Sequence, residues 1–533
     1  MLASVETAMT LRVLISLFAV SLLAASTARA QHDPQRNATR FFAAGQFDKA
    51  EAELKKADDK EPETAFVRML ISLGRKDVAR AEVYARAAMS RGLPFSRLAA
   101  GPREVLAPLF ETDYWRTRVT LYESVPSSNL LHGPMLGDVT GDSVSVWLRT
   151  WRPAKAEIIV SDAESGLVVS RSKPKMTTLD SDLTAVLKVD RLRPQTRYRY
   201  TVLLDGKPQN PELIRAFTTV ADAGSPSKFR VAFGGGAGHV PKWEYMWDTI
   251  LKERPNALFM LGDNVYIDDP TQPLTQDYCY YRRQARPEWR RLVGSTPVYA
   301  IYDDHDFGTN DCVPGPDIFK PAWKPEVFKR FARNWVNPTY GTPKQPGCWF
   351  DFYIGDVHFI MLDGRYYRDR KGEPTMLGPV QRSWLFHTLK NSKGRFKVLA
   401  SPVPWTVGIK PGSKDPWDGF PEERELIFSF IEKNKINGLF LIAADRHRTD
   451  LRITKRESGF RFVEFESSKL TNRHTHPVVK TDGLVWGYNK TCSFGLMKFD
   501  TTVDDPVVRF EAITIDGKKV HSHELRLSEI THK

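Results

Sequence analysis

Asp263, Asp304, His305, Asp445 and His447 each follow a short apolar run, at the point where a β-strand hands its next side chains to a loop. ALFML runs into Gly262-Asp263, PVYAIY into Asp303-Asp304-His305-Asp306, HFIML into Asp363-Gly364-Arg365, and GLFLIAA into Ala444's neighbours Asp445-Arg446-His447. FRVAF and FKVLA end the same way, in GGGAGH and Ser401-Pro402. In open α/β sheets the loops at the strand carboxyl ends converge, so cargo repeated in this way collects at one edge. Carboxylates brought together resist shared ionisation unless a cation neutralises them. Aspartate, tyrosine and imidazole donors suit ferric iron, zinc, manganese or calcium, and a pair of such ions can clamp a phosphoryl group during displacement. GxSxG and GxxxxGKS/T are both absent from the sequence, so metal-assisted hydrolysis fits better than serine or nucleotide-loop chemistry.

A chain of 533 residues needs several domains to position such an edge. Residues 1–30 read as a secretory signal: Arg12, the run VLISLFAVSLLAA, then Ala28-Arg29-Ala30 as a cleavage site. Export to a periplasmic or extracellular location follows, and no other segment is apolar enough to span a bilayer. Residues 31–122 read as helices. AAGQFDKAEAELKKA and SLGRKDVARAEVYARAA repeat at an offset of about thirty residues, the spacing of tetratricopeptide-like hairpins. Such a region either docks a protein partner or packs against the catalytic part.

Residues 127–222 change to period two in DSVSVWLRT and AEIIVSD. There LRPQTRYRYTVLLDG resembles the tyrosine corner of a fibronectin type III or immunoglobulin-like sandwich. Residues 228–525 then carry the strand-end pattern. Four cysteines in an exported chain favour one or two disulfides. The formal net charge of +13 suits an anionic, even polyanionic, substrate.

LGDNVY, YDDHDFGTND, MLDGRYYR, TMLGPVQRSWL, DPWDGF and AADRH occur in one order between Leu261 and His447. Together they resemble the alkaline phosphatase D family of calcineurin-like metallophosphoesterases, and HGPMLGDVTGDSVSVWLRT resembles that family's N-terminal β-domain. The resemblance implies a catalytic α/β/β/α sandwich that acts on phosphate esters and holds two metal ions, iron with calcium, or zinc, or manganese. Asp263 would bridge the ions, Tyr266 would be a phenolate ligand, and Asp304, Asp445 and His447 would complete the coordination. A metal-bound hydroxide would attack phosphorus while His305 assists the leaving group, and Arg365 would contact a phosphate oxygen. Asn310 and His239 are additional candidate ligands.

FGGGA stands where this family commonly has FGSCQ, so Gly236 takes the place of a cysteine ligand and the loop carries no nucleotide signature. His474 and His476 in RHTHP form a reserve pair whose spacing puts both rings on one side of an extended segment. Gly355-Asp356-Val357-His358 spells a metal motif but lies between two alternating runs, as a hairpin turn would. The leading reading is an exported phosphoester hydrolase. A diesterase or nuclease, and a catalytically decayed adaptor on the same scaffold, remain beside it.

Overall fold

The computed structural model describes residues 33–125, 128–209 and 215–532; the signal expected at 1–30 lies outside them. Among the described residues, no helix is long and apolar enough to cross a membrane. Ala257–Leu261, Val357–Met361, Phe396–Ala400 and Leu439–Ala443 are buried at every position, as parallel strands covered on both faces must be.

Two mixed sheets result. The first runs Val298–Ile301, Ala257–Leu261, Lys228–Gly234, Ser493–Asp500, Val507–Thr514, Lys519–Arg526, with its first three strands parallel. The second runs Phe350–Ile354, Val357–Met361, Phe396–Ala400, Leu439–Ala443, Arg461–Ser467, Thr449–Lys455, Leu484–Tyr488. Its parallel core is Val357–Met361 to Arg461–Ser467. The sheets meet through aromatic rings, with Phe259 on Phe359 at 4.9 Å and Phe440 on Phe499 at 6.3 Å. Helices Gly378–Asn391 and Pro421–Lys433 close the outer face of the second sheet with Leu385 and Ile427. Met246–Lys252 and Pro287–Val293 share the core of the first. The α/β/β/α layering expected from the sequence is therefore present.

Ahead of it stand two small antiparallel groups of strands. One is Leu130–Gly137, Val144–Thr150 and Thr184–Val189; the other is built on Lys155–Asp162 and Arg197–Leu204. The Tyr198 hydroxyl accepts a bond from the Arg193 backbone N–H at 2.9 Å, a link between tyrosine and upstream chain of the sort LRPQTRYRY suggested. The N-terminal helices include two hairpins, Pro34–Ala43 with Phe47–Leu54 and Pro62–Gly74 with Val78–Ser90, at the two repeat-like segments. Asp33 caps the first of them by accepting from Arg36 N at 3.0 Å, and Pro34 occupies its first turn.

The disulfide expectation is corrected. Cys279, Cys312, Cys348 and Cys492 are all free thiols; Cys279, Cys348 and Cys492 are individually buried in packed surroundings. The Gly355-Asp356 segment is the turn of a hairpin, and His358 is held by Asp351 at 2.9 Å and Ser392 at 2.8 Å.

Candidate metal centre and active site

The loops after Ala257–Leu261 and Val298–Ile301 of the first sheet and after Leu439–Ala443 of the second bring Asp263, Tyr266, Asp304, His305 and His447 into contact. Two of the loops are zipped together. Asp306 accepts from the backbone N–H groups of Asn264 and Val265, each at 2.9 Å, and Ile267 N donates to His305 O at 2.7 Å. Gly262 permits this approach: at φ +103° a Cβ there would meet the Asp303 Cβ at 2.5 Å. Ligand atoms of Asp263, Asp304 and His305 lie within 4.8 Å of one another, all three side chains buried. The Tyr266 hydroxyl lies 2.9 Å from Asp263 Oδ2 and 2.8 Å from His447 Nε2, and accepts from Asn472 Nδ2 at 2.5 Å.

Burial, reinforced by Asp304, Asp303 and Asp306, pushes the Asp263 carboxyl well above the usual carboxylate range, although His305 opposes it. Burial and then Asp263 likewise hold the Tyr266 phenol well above its ordinary value. Burial, with His474 and His476 adding to it, keeps His447 neutral. Asp263 Oδ1 and His447 Nδ1 are buried without hydrogen-bond partners. A carboxylate that resists ionisation, an orphaned oxygen and a neutral imidazole are the donor set a cation satisfies, so the residues fit the implied metal.

Asp304 also lies in a second acidic group, with Asp311 and Asp415. That group is already neutralised: Arg365 meets Asp415 at 2.6 and 3.1 Å, Arg368 meets it at 2.6 Å, and Lys410 meets Asp311 at 2.9 Å. It needs no further cation. The Arg365 expectation is corrected here. Its side chain is fully buried and its guanidinium is spent on Asp303 and Asp415, so it braces the acidic floor and presents no free fork to a phosphate.

Asp445 reaches the same edge half-buried, with Oδ2 unbonded and 3.5 Å from Arg446 Nη1, outside the converging groups of ligand atoms. His239 also falls outside them, 3.7 Å from Glu244, and burial with Arg282 and Arg283 keeps its ring neutral. Asn310 is exposed and outside them too; its neighbour Asp311 is the residue that turns inward. Gly236 does lie at the centre, but backbone N–H groups of its loop are bonded to protein carbonyls, Gly236 N to Gly262 O and Ala237 N to Asp263 O, leaving no phosphate cradle there.

Three residues of the site carry no motif. Asp268 pairs with His305 Nδ1, and Arg36 from the first N-terminal helix pairs with Asp268 and donates to Tyr266 O at 3.1 Å. Burial works against the Asp268 carboxylate, but His305 and Arg36 outweigh it and hold its pKa at about 2. Burial opposes the His305 imidazolium too, and Asp268, Asp304 and Asp263 outweigh that, raising its pKa well above normal. Asn472 is the third. A cavity of about 260 Å³ opens beside these residues, between Arg36 and Glu61 of the helices and His239, Tyr266, Asn472 and Arg473 of the catalytic part.

Fold and site together define a metallophosphoesterase sandwich. Its layers match a solved structure of PhoD with a TM-score of 0.60, at 17% identity over 73% of this chain and 91% of that one. They match a purple acid phosphatase from yellow lupin (Lupinus luteus) seeds with a TM-score of 0.58, at 13% identity over 74% of this chain and 75% of the other. The sequence model of the PhoD-like phosphatases matches residues 232–491, and a domain of unknown function matches 127–221. Alkaline phosphatase D of Bacillus subtilis (strain 168) is 22% identical over 380 residues, 59% of this chain; the match spans 64% of that relative's own length. Over residues 232–491 the chain is similar to the PhoD-like, or alkaline phosphatase D, family.

Proposed function

We propose that the chain is an exported, metal-dependent phosphoester hydrolase. The observation that carries this reading is the buried convergence of Asp263, Asp304 and His305, with Asp263 Oδ1 left for a cation. Asp263, Tyr266, Asp304 and His447 would hold the metal, with Asp445 at the rim. When bound, the metal supplies Lewis-acid activation of water and phosphoryl oxygen. His305 has Nδ1 engaged by Asp268, so Nε2 is the nitrogen that hands a proton to the departing oxygen. Arg36 and Asp268 orient that ring, and Tyr266 stacks on it at 4.8 Å. The helical region works here as a wall of the site, and the β-rich region as a spacer of the immunoglobulin-like kind.

Chromogenic phosphate mono- and diesters, offered after reconstitution with iron, calcium, zinc or manganese, test the reading and sort the two substrate classes. Turnover that drops about 10³-fold or more in Asp263→Asn and Asp304→Asn is expected, since these residues hold the electrostatic centre of the reaction. Turnover that needs no metal would contradict the metal-dependent reading, and no bound metal together with no turnover under any of these ions would favour the adaptor.

A further inference from the structure

His447, His474 and His476 place one ring nitrogen each within 4.8 Å of the others, outside every motif that defines the family resemblance apart from His447 itself. His474 and His476 stand two residues apart on a loop outside the helices and strands, with their rings turned toward one another. Their Nε2 atoms are 3.0 Å apart and the ring planes are perpendicular. A tetrahedral ion with bonds of about 2.0–2.1 Å to nitrogen needs its donors about 3.3–3.4 Å apart, so the His474–His476 pair need open by only a few tenths of an ångström to share one, with His447 closing in from within 4.8 Å.

The loop is already fastened to His447. Thr475 Oγ1 donates to His447 O at 3.2 Å, Asn472 Oδ1 accepts from His474 N at 2.9 Å, and Asn489 Nδ2 donates to His476 O at 2.9 Å. His447 is 2% exposed and its Nδ1 has no partner. On the same flank Gly236, whose added Cβ would come 3.2 Å from His447 Cδ2, brings no donor. Imidazoles are thus the ligand type available on this side of the centre.

We propose that His447, His474 and His476 form a three-imidazole site for a borderline divalent metal such as zinc, at the edge of the Asp263 centre. Imidazole ligands select zinc or a similar ion over calcium or magnesium, which take oxygen ligands. A neutral ring has one lone pair, so His447 serves both this ion and the Asp263 centre only as an imidazolate, Nδ1 on one side and Nε2, now beside Tyr266, on the other. The proposal rests on the metal-enzyme reading only through His447; its ligands and its readout are its own.

The test is metal content and cobalt(II) absorption in the full chain, wild type against His474→Ala/His476→Ala, with Asp304→Asn as a second comparison. Both histidines are half-buried, and His474→Gln/His476→Gln provides a pair of similar volume should the alanine chain melt early. Loss of second-shell partners alone costs about 10–100-fold in metal affinity, so loss of two ligands should exceed 100-fold. We expect the double variants to lose one equivalent of zinc and the visible band of nitrogen-bound cobalt, while Asp304→Asn, which removes a ligand of the neighbouring centre, keeps the band. Double variants with wild-type stoichiometry and an unchanged cobalt band would overturn the proposal. Wild-type chain that shows the band yet hydrolyses no phosphoester would sink the hydrolytic reading and leave this site standing.

Discussion

His305 is aimed by a carboxylate that the sequence does not advertise. Replacing His305 with Ala should lower kcat about 10²–10⁴-fold, the usual share of a general acid. Asp268→Asn leaves the ring in place but removes the charge on Nδ1, and should lower kcat by less than His305→Ala does, with KM little changed. Steady-state kinetics on one chromogenic ester checks both; an Asp268→Asn enzyme that loses only KM would remove Asp268 from the catalytic geometry. Asp263, Asp304 and His447 were legible because each polar group directly follows an apolar strand. Asp268 was not, because an acid two residues past a motif tyrosine reads as a turn. Arg365 misled for a related reason: a sequence displays a guanidinium but not its partner Asp415, which arrives from a loop fifty residues on.

At the scale of elements, the site depends on loops pressed closer than side chains normally allow. Gly236 sits at φ +67°, and a Cβ there would stand 2.9 Å from Lys469 N, a backbone atom that cannot swing aside. Gly236→Ala should therefore cost about 1–3 kcal/mol, combining left-handed strain with the contact. Urea unfolding at fixed metal concentration measures it, and an unchanged midpoint would show that the loop yields. The same geometry means that a cysteine introduced at 236 cannot simply restore a thiolate ligand, since its Cβ must first fit beside His447. The strands were readable from their apolar runs and the hairpin at Gly355-Asp356 from its flanking alternation. The closeness of the loops was not, because it arises only when two distant strand ends, Leu261 and Ile301, become neighbours in one sheet.

At the scale of the molecule, the N-terminal helices are built into the catalytic face. Asp33 caps their first helix and pairs with Arg282, which is 2% exposed, while Arg40 meets Asp269 at 3.0 Å. Asp33→Asn keeps a good cap but strands the Arg282 charge, which should cost about 3–5 kcal/mol near neutral pH. Burial raises the Asp33 pKa, but Arg282 and Arg36 outweigh it and hold it below the ordinary value. The pair's contribution is therefore complete above an unfolded-state pKa of about 3.9 and is lost as pH falls through the depressed folded value. Melting curves of the two chains should converge in acid; a gap independent of pH would deny the ion pair its role. The helices at 34–54 and 62–90 were visible in the sequence, but the choice between partner docking and packing was not, because it turns on Arg36, a charged residue with no pattern around it.

The most direct test of the whole assignment is anomalous diffraction from crystals soaked with zinc, manganese or iron. A peak in coordination range of Asp263, Tyr266, Asp304 and His447 is predicted. Saturated crystals with no anomalous density between those four side chains would contradict the metal centre, and with it the hydrolytic function.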